Sequence, residues 1–269
     1  METYKAAAVQ MNSQPNIEHN LNQARALVQK AAKAKTRLVC LPENFAFLGD
    51  FDLRMQKADE IHTKAESFLK DIAAKYGIYL IGGSFPAPAG NDKVYNRSLL
   101  INPEGRTVAK YDKMHLFDVD LDDGESYRES DFVEPGDSKP ILWKSDEIGN
   151  IGLSVCYDLR FPELYRELAA KGAEILTVPS AFTQTTGEVH WETLLRARAI
   201  ENTSYVLAPA QTGVHGPNRK TYGHSLIVDP WGEVLADGKE EIGFVTADIS
   251  PNRLKKVRES IPSLNHRRI

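Results

Sequence analysis

Cysteine is scarce in this chain: 269 residues hold two, Cys40 and Cys156. Two thiols do not staple a scaffold, and so few suit a reducing compartment where a free thiol persists. Long apolar runs are also missing. Stretches such as Ile78 to Ile81 and Val206 to Ala210 are too short to span a bilayer. The opening METYKAAAVQM lacks the basic segment and apolar core of a signal peptide, so a cytoplasmic location is expected. There is no basic surplus: 33 Lys and Arg face 37 Asp and Glu, a formal charge of −4. Neither nucleic acid nor a membrane is expected as partner, because both favour a basic surface. The seven histidines form no HExxH pair, and neither a GxGxxG nor a P-loop pattern occurs. No metal or organic cofactor is expected. The Gly82–Gly83 pair follows a strand without the rest of a phosphate motif and reads as a turn.

What is present is an ordinary globular composition, 42% apolar and 26% charged. Strands are predicted at 4–11, 37–41, 79–84, 95–102, 151–155, 174–179, 204–210, 223–228 and 243–248. Several are continuous apolar runs, the pattern of strands covered on both faces. Helices are predicted at 17–34, 59–76, 162–171, 189–203 and 252–259. In the first, Leu21, Ala24, Leu27, Val28, Ala31 and Ala32 form one apolar stripe. The order suggests two similar halves, each closing on a Pro-x-Gly turn, Pro103–Gly105 and Pro230–Gly232. The expected fold is α/β, two sheets with helices on both outer faces, in a single domain over 1–269. The acidic stretch 118–134 is expected to be the longest irregular region.

Candidate chemistry starts at Cys156, in GLSVCYDLRFPELYREL. An apolar strand leads into it and Pro162 suits the first turn of a following helix. A strand-to-helix turn can favour a thiolate and leaves N–H groups, such as that of Tyr157, to bind an oxyanion. Taken alone, such a cysteine is as well explained by core packing, which is the reading for Cys40 inside Leu38–Leu41. Glu43 follows Pro42 at a strand's carboxyl end, where a partly desolvated carboxylate with a raised pKa would serve as general base. Lys113, among apolar and aromatic neighbours, reads as partly buried beside a carboxylate and able to face an oxyanion, or, taken alone, as a surface lysine. Glu129 is a second candidate acid. Arg160, four residues past the thiol, could clamp a substrate carboxylate or form a surface ion pair. A Cys–His dyad using His115 or His190 stays open. Asp118, Asp120, Asp122 and Glu129 mimic a calcium loop, but Asp123 stands where glycine is needed, so calcium is not expected.

The set PENF around Glu43, KYDKMHLFD around Lys113 and SVCYDLRFPELYR around Cys156 resembles the nitrilase superfamily, in the same order and across nearly the whole chain. The resemblance implies a four-layer α-β-β-α sandwich. It implies Glu43 as general base, Lys113 as stabiliser of the tetrahedral intermediate, Cys156 as nucleophile and Glu129 as a second glutamate near the thiol. SAFTQTTGEVHWETLLRARAIENTSYVLAPAQTG and YGHSLIVDPWG look like the Nit branch, including the Nit half of Nit–Fhit chains. That branch implies amidase action on deaminated glutathione, giving 2-oxoglutarate and Cys-Gly. It also implies Arg160, Phe182 and Thr186 in the acyl pocket, beside Tyr157. Phe182 could instead be plain core and Thr186 part of a helix cap. The alternatives are an ω-amidase of 2-oxo acid amides, a carbamoylase, a nitrilase, or a metabolite-binding protein without turnover. The resemblance further suggests a homodimer or larger, with the tail RESIPSLNHRRI as a candidate interface.

Overall fold

The computed structural model describes residues 1–90, 92–121, 124, 126–216 and 219–268. Strand β1 (Tyr4–Gln10) leads into helix α1 (Ile17–Lys33), capped where Asn16 accepts from the His19 N–H. Then come β2 (Thr36–Cys40), α2 (Phe51–Gln56), α3 (Ala58–Tyr76), β3 (Tyr79–Ile81), β4 (Phe85–Gly90), β5 (Lys93–Ile101) and β6 (Thr107–Asp112). A small hairpin, β7 (Asp118–Asp120) and β8 (Ser126–Arg128), precedes β9 (Leu142–Trp143) and β10 (Ile151–Leu153). Helix α4 (Pro162–Ala170), β11 (Ile175–Thr177), α5 (Gln184–Asn202) and β12 (Tyr205–Ala208) follow. A second hairpin, β13 (Thr212–His215) and β14 (Arg219–Tyr222), leads to β15 (Leu226–Val228), β16 (Val234–Asp237), β17 (Gly243–Ile249) and α6 (Pro251–Ser260).

The strands make two large sheets of matching plan. One runs β17-β1-β2-β3-β5-β4, with β6 also on β5; the other runs β16-β15-β12-β11-β10-β9. In each, three consecutive strands are parallel, β1-β2-β3 and β10-β11-β12, and the next partner, β5 or β15, is antiparallel. The two similar halves expected from the sequence are therefore real. The two Pro-x-Gly turns correspond as well. Gly105 donates to Asn102 O and Gly232 to Asp229 O, both at 2.9 Å, and both glycines have positive φ.

Side-chain alternation explains why the strands are apolar on both faces. Ala6, Ala8, Leu38 and Cys40 enter the core that also holds the second sheet, whereas Ala7, Val9, Val39 and Leu41 enter the core under α1 and α3. The layers are thus α-β-β-α. No helix among the described residues is long and apolar enough to cross a membrane.

Several boundaries differ from expectation. Strands β4, β6, β9 and β16, helix α2 and both small hairpins were not foreseen. β4 carries Pro86 and Pro88, which argue against a central strand, and it lies at a sheet edge. Helix α5 starts five residues before the predicted Val189, because the Thr183 side chain caps it at the Thr186 N–H. The stretch 118–134 is not irregular throughout: it holds the β7–β8 hairpin and a short helical turn, Glu129–Asp131. Of the calcium-like pattern, Asp118 accepts from the Ser130 N–H and Asp120 pairs with Arg128, while Asp122 and Asp123 lie outside the described residues.

Candidate active site

Cys156 follows β10 by three residues and opens a tight helical turn, Cys156–Arg160. Its φ is +49°, a left-handed conformation that costs a non-glycine residue about 1–3 kcal/mol unless its surroundings enforce it. Here they do. The Cys156 N–H donates to Pro179 O at 2.9 Å, and the Ser154 hydroxyl reaches Thr177 O at 2.7 Å. Below the turn, fully buried Asp158 accepts from the Val155 N–H (2.8 Å), the Tyr111 hydroxyl (2.6 Å) and the His115 N–H (3.1 Å). One carboxylate thus ties the turn to β6 and its exit, with its charge met by hydrogen bonds as burial demands.

Glu43 directly follows Pro42, three residues past the end of β2. The turn beneath it is closed by Gly83, which has φ +49° and sits so near the Pro42 carbonyl that a Cβ would collide with it. Glu43 is 3% exposed, Lys113 2% and Glu129 7%. Lys113 Nζ lies 3.1 Å from Glu43 Oε1 and 3.1 and 2.8 Å from the two Glu129 oxygens. Asn96 Nδ2 donates to both carboxylates, at 3.0 and 3.3 Å. The second Glu43 oxygen accepts from the Ala181 N–H at 2.9 Å, and Glu129 Oε2 accepts from the Phe117 N–H at 2.7 Å. Lys113 is therefore shared by two buried acids rather than partly buried beside one.

The electrostatics overturn two expectations. Burial would push the Glu43 carboxyl up, but the Lys113 charge, the Cys156 hydrogen bond and the Arg219 charge hold it below the ordinary value. Glu43 is thus a lowered acid, not a raised one. Burial, then the Glu43 charge, push the Cys156 thiol up, against smaller lowering effects of Lys113 and the Ala181 N–H. The turn does not stabilise a resting thiolate; the thiol is neutral and donates toward Glu43. Lys113 is held charged: burial opposes its ammonium, but Glu129, Glu43 and Cys156 raise it.

Neither histidine serves the thiol. His115 stacks on Phe161 with centroids 3.7 Å apart and lies 2.7 Å from Asp158, while His190 lies 3.3 Å from Arg160. Cys40 is fully buried, which pushes its thiol well up. A narrow cleft opens over the cluster. Cys156, Glu43, Lys113, Glu129, Tyr157, Arg160, Phe182 and Thr186 all line it. The Arg160 guanidinium lies over the Phe182 ring at 5.3 Å and the Tyr157 ring at 5.9 Å, with no carboxylate within ion-pair distance among the described residues. It is not an ordinary surface ion pair. Phe182 packs on Trp191 at 4.8 Å, and the Thr186 hydroxyl meets the Thr183 hydroxyl at 2.9 Å, so the core and cap readings of these two also hold. Sequence reasoning missed Asn96, Arg54 and Arg219. Asn96 is an inward residue of β5, a polar interruption in an alternating strand that could have been noticed.

An acid–lysine–thiol cluster at the carboxyl ends of two facing sheets defines a cysteine hydrolase, and the chain belongs to the carbon-nitrogen hydrolase family, whose model matches residues 5–259. It is a hydrolase of carbon–nitrogen bonds other than peptide bonds. Among its relatives, a Synechocystis protein named deaminated glutathione amidase is 50% identical over 99% of both chains. A human protein of the same name is 42% identical over 97% of this chain and 81% of its own length. Among solved structures, the C. elegans NitFhit protein superposes with a TM-score of 0.94 at 39% identity, covering all of this chain and 66% of the other. Saccharomyces cerevisiae Nit3, described as a member of branch 10 of the nitrilase superfamily, gives 0.87 at 32% identity, over 97% and 95%.

Proposed function

We propose that this protein is an amidase of small acidic amides, with deaminated glutathione as substrate and 2-oxoglutarate and Cys-Gly as products. The relatives' names suggest the substrate. The observation that carries the acidic part is Arg160, a guanidinium free of carboxylates on the wall of the cleft that holds the thiol.

Cys156 Sγ attacks the amide carbon while its proton passes to Glu43. Because burial raises the thiol and Lys113 lowers Glu43, transfer in the resting site is uphill. It becomes favourable only as the S–C bond forms, so proton transfer and attack run together. The developing oxyanion is held by the Lys113 ammonium and the Tyr157 N–H. Protonated Glu43 gives its proton to the leaving amine as the C–N bond breaks. Water, deprotonated by Glu43, then attacks the thioester; the acid leaves and the proton returns to the thiol. Glu129 and Asn96 hold Lys113 and Glu43 in register. The enzyme works in the cytoplasm as a homodimer or larger assembly.

A panel of purified-enzyme assays tests the reading. Deaminated glutathione should be hydrolysed with a higher kcat/KM than 2-oxo acid amides lacking the Cys-Gly part, and than neutral amides, nitriles or carbamoyl compounds. Preference for the short 2-oxo amide would make it an ω-amidase instead.

A further inference from the structure

Arg54 is a charged side chain that the scheme above does not use. It sits on α2, is 4% exposed and lines the cleft, yet its Nε and Nη2 have no hydrogen-bond partner among the described residues. No carboxylate lies within ion-pair distance of it among the described residues. An unpaired buried guanidinium is expensive, and folded proteins rarely keep one without a use for it. Arg219, on β14, also lines the cleft but is only half-buried. Among the described residues its Nε is buried without a partner, its Nη2 donates to Ala181 O at 3.4 Å, and its guanidinium lies over the Tyr127 ring at 5.8 Å. The hairpin that carries it is pinned by buried His215, between Ser13 O at 2.7 Å and the Thr221 hydroxyl at 2.6 Å. Burial, the largest effect, holds Arg54 below its ordinary value against the raising charges of Glu129 and Glu43, and the nearby Arg219 charge adds a smaller lowering.

Charge counting points the same way. Glu43 and Glu129 bring two negative charges to the lining, and Lys113, Arg54, Arg160 and Arg219 bring four positive ones. The cleft therefore carries a formal surplus of two positive charges, matching a ligand with two carboxylates rather than one. Arg160, packed on Phe182 and Tyr157, serves one of them. Resting on the amidase reading, we infer that Arg54 and Arg219 form a second anion subsite, which takes the carboxylate at the far end of the leaving amine. The substrate is then gripped at both ends, and the scissile amide is held across Cys156.

The test compares deaminated glutathione with its glycinamide analogue, which keeps the 2-oxo acid end and replaces only the terminal carboxylate by a neutral amide. Wild-type kcat/KM should favour the acid by roughly 30-fold or more, the scale of a buried charge-assisted pair. Arg54→Met and Arg219→Met should bring that ratio close to one, by losing the acid and sparing the analogue. Arg160→Met should lower both substrates together, since they share the acyl end. Equal wild-type rates on acid and analogue, or an unchanged ratio in Arg54→Met, would overturn the subsite while leaving the amidase intact. A wild-type enzyme inactive on both would overturn the amidase reading and the subsite with it.

Discussion

Replacing Lys113 by alanine removes the one cation shared by Glu43 and Glu129. Three N–O contacts of 2.8–3.1 Å disappear, at a site where all three side chains are under a tenth exposed. Breaking a buried ion pair from one side costs about 3–5 kcal/mol, because the partner charge stays behind in a poor solvent. For a chain of this size that corresponds to a fall in Tm on the order of 10 °C. The acids will not tolerate ionisation as before. Burial, the largest influence on Glu43, raises its pKa, and the strongest influence opposing it is Lys113. Glu43 should therefore move from a lowered pKa to a raised one. Its base form is needed for attack, so the acid limb of kcat/KM against pH should shift upward in the variant. The linkage has the same sign. In the wild type the depressed Glu43 pKa contributes stability that is present above the unfolded value of 4.5 and lost as pH falls through the folded one. In Lys113→Ala that contribution is gone. Loss of the oxyanion donor should lower kcat by roughly 10²-fold or more even at the new optimum. Thermal melts and pH–rate profiles on both proteins test each part. Wild-type turnover with an unmoved acid limb would refute the assignment of Lys113 and the account of Glu43 together.

Three further outcomes follow from the same geometry. Arg160→Ala should lower kcat/KM for a 2-oxo-dicarboxylate amide by roughly 30-fold to several thousand-fold, with little loss on a short neutral amide and only partial rescue by lysine; equal losses on both would return Arg160 to a structural role. Iodoacetamide should inactivate the native enzyme through Cys156, which lines the cleft, and spare fully buried Cys40; peptide mapping that finds inactivation tracking Cys40 would contradict this. In Glu43→Gln the Cys156 thiol should titrate at lower pH than in wild type, because a neighbouring negative charge is gone and Lys113 remains; an unchanged alkylation pH profile would mean that the two groups are not coupled.

Much of the site was legible because its residues stand where apolar runs stop. Cys156 follows Ile151–Val155 and Glu43 follows Leu38–Leu41, and runs of that kind end at the carboxyl edge of a sheet. Lys113 was visible only as a lysine among apolar neighbours, Glu129 and Arg160 only as candidates with plain alternatives, and Phe182 and Thr186 needed the family resemblance. The sheet plan could be read because parallel strands buried on both faces leave continuous apolar signatures. The half-exposed β6 and the proline-bearing β4 leave none. Arg54 and Arg219 escaped for a different reason. One sits on a six-residue helix and the other on a short hairpin strand, where an arginine is ordinarily a solvated surface group. Only the tertiary fold shows that Arg54 is buried and that both line the cleft with nitrogens left unpaired among the described residues. The protonation states were misjudged because the turn's N–H groups and partial burial were weighed without the Glu43 charge beside the thiol or the Lys113 charge beside Glu43, which only the tertiary fold brings together.

The central claim is that Cys156 carries the acyl group between the two halves of the reaction. Wild-type enzyme mixed with deaminated glutathione, quenched in acid within a turnover and mapped by peptide mass spectrometry, should carry a 2-oxoglutaryl group on the peptide containing Cys156. The Cys156→Ala variant should carry none and should not release Cys-Gly. An acyl group on any other residue, or Cys-Gly release by Cys156→Ala at the wild-type rate, would contradict the account.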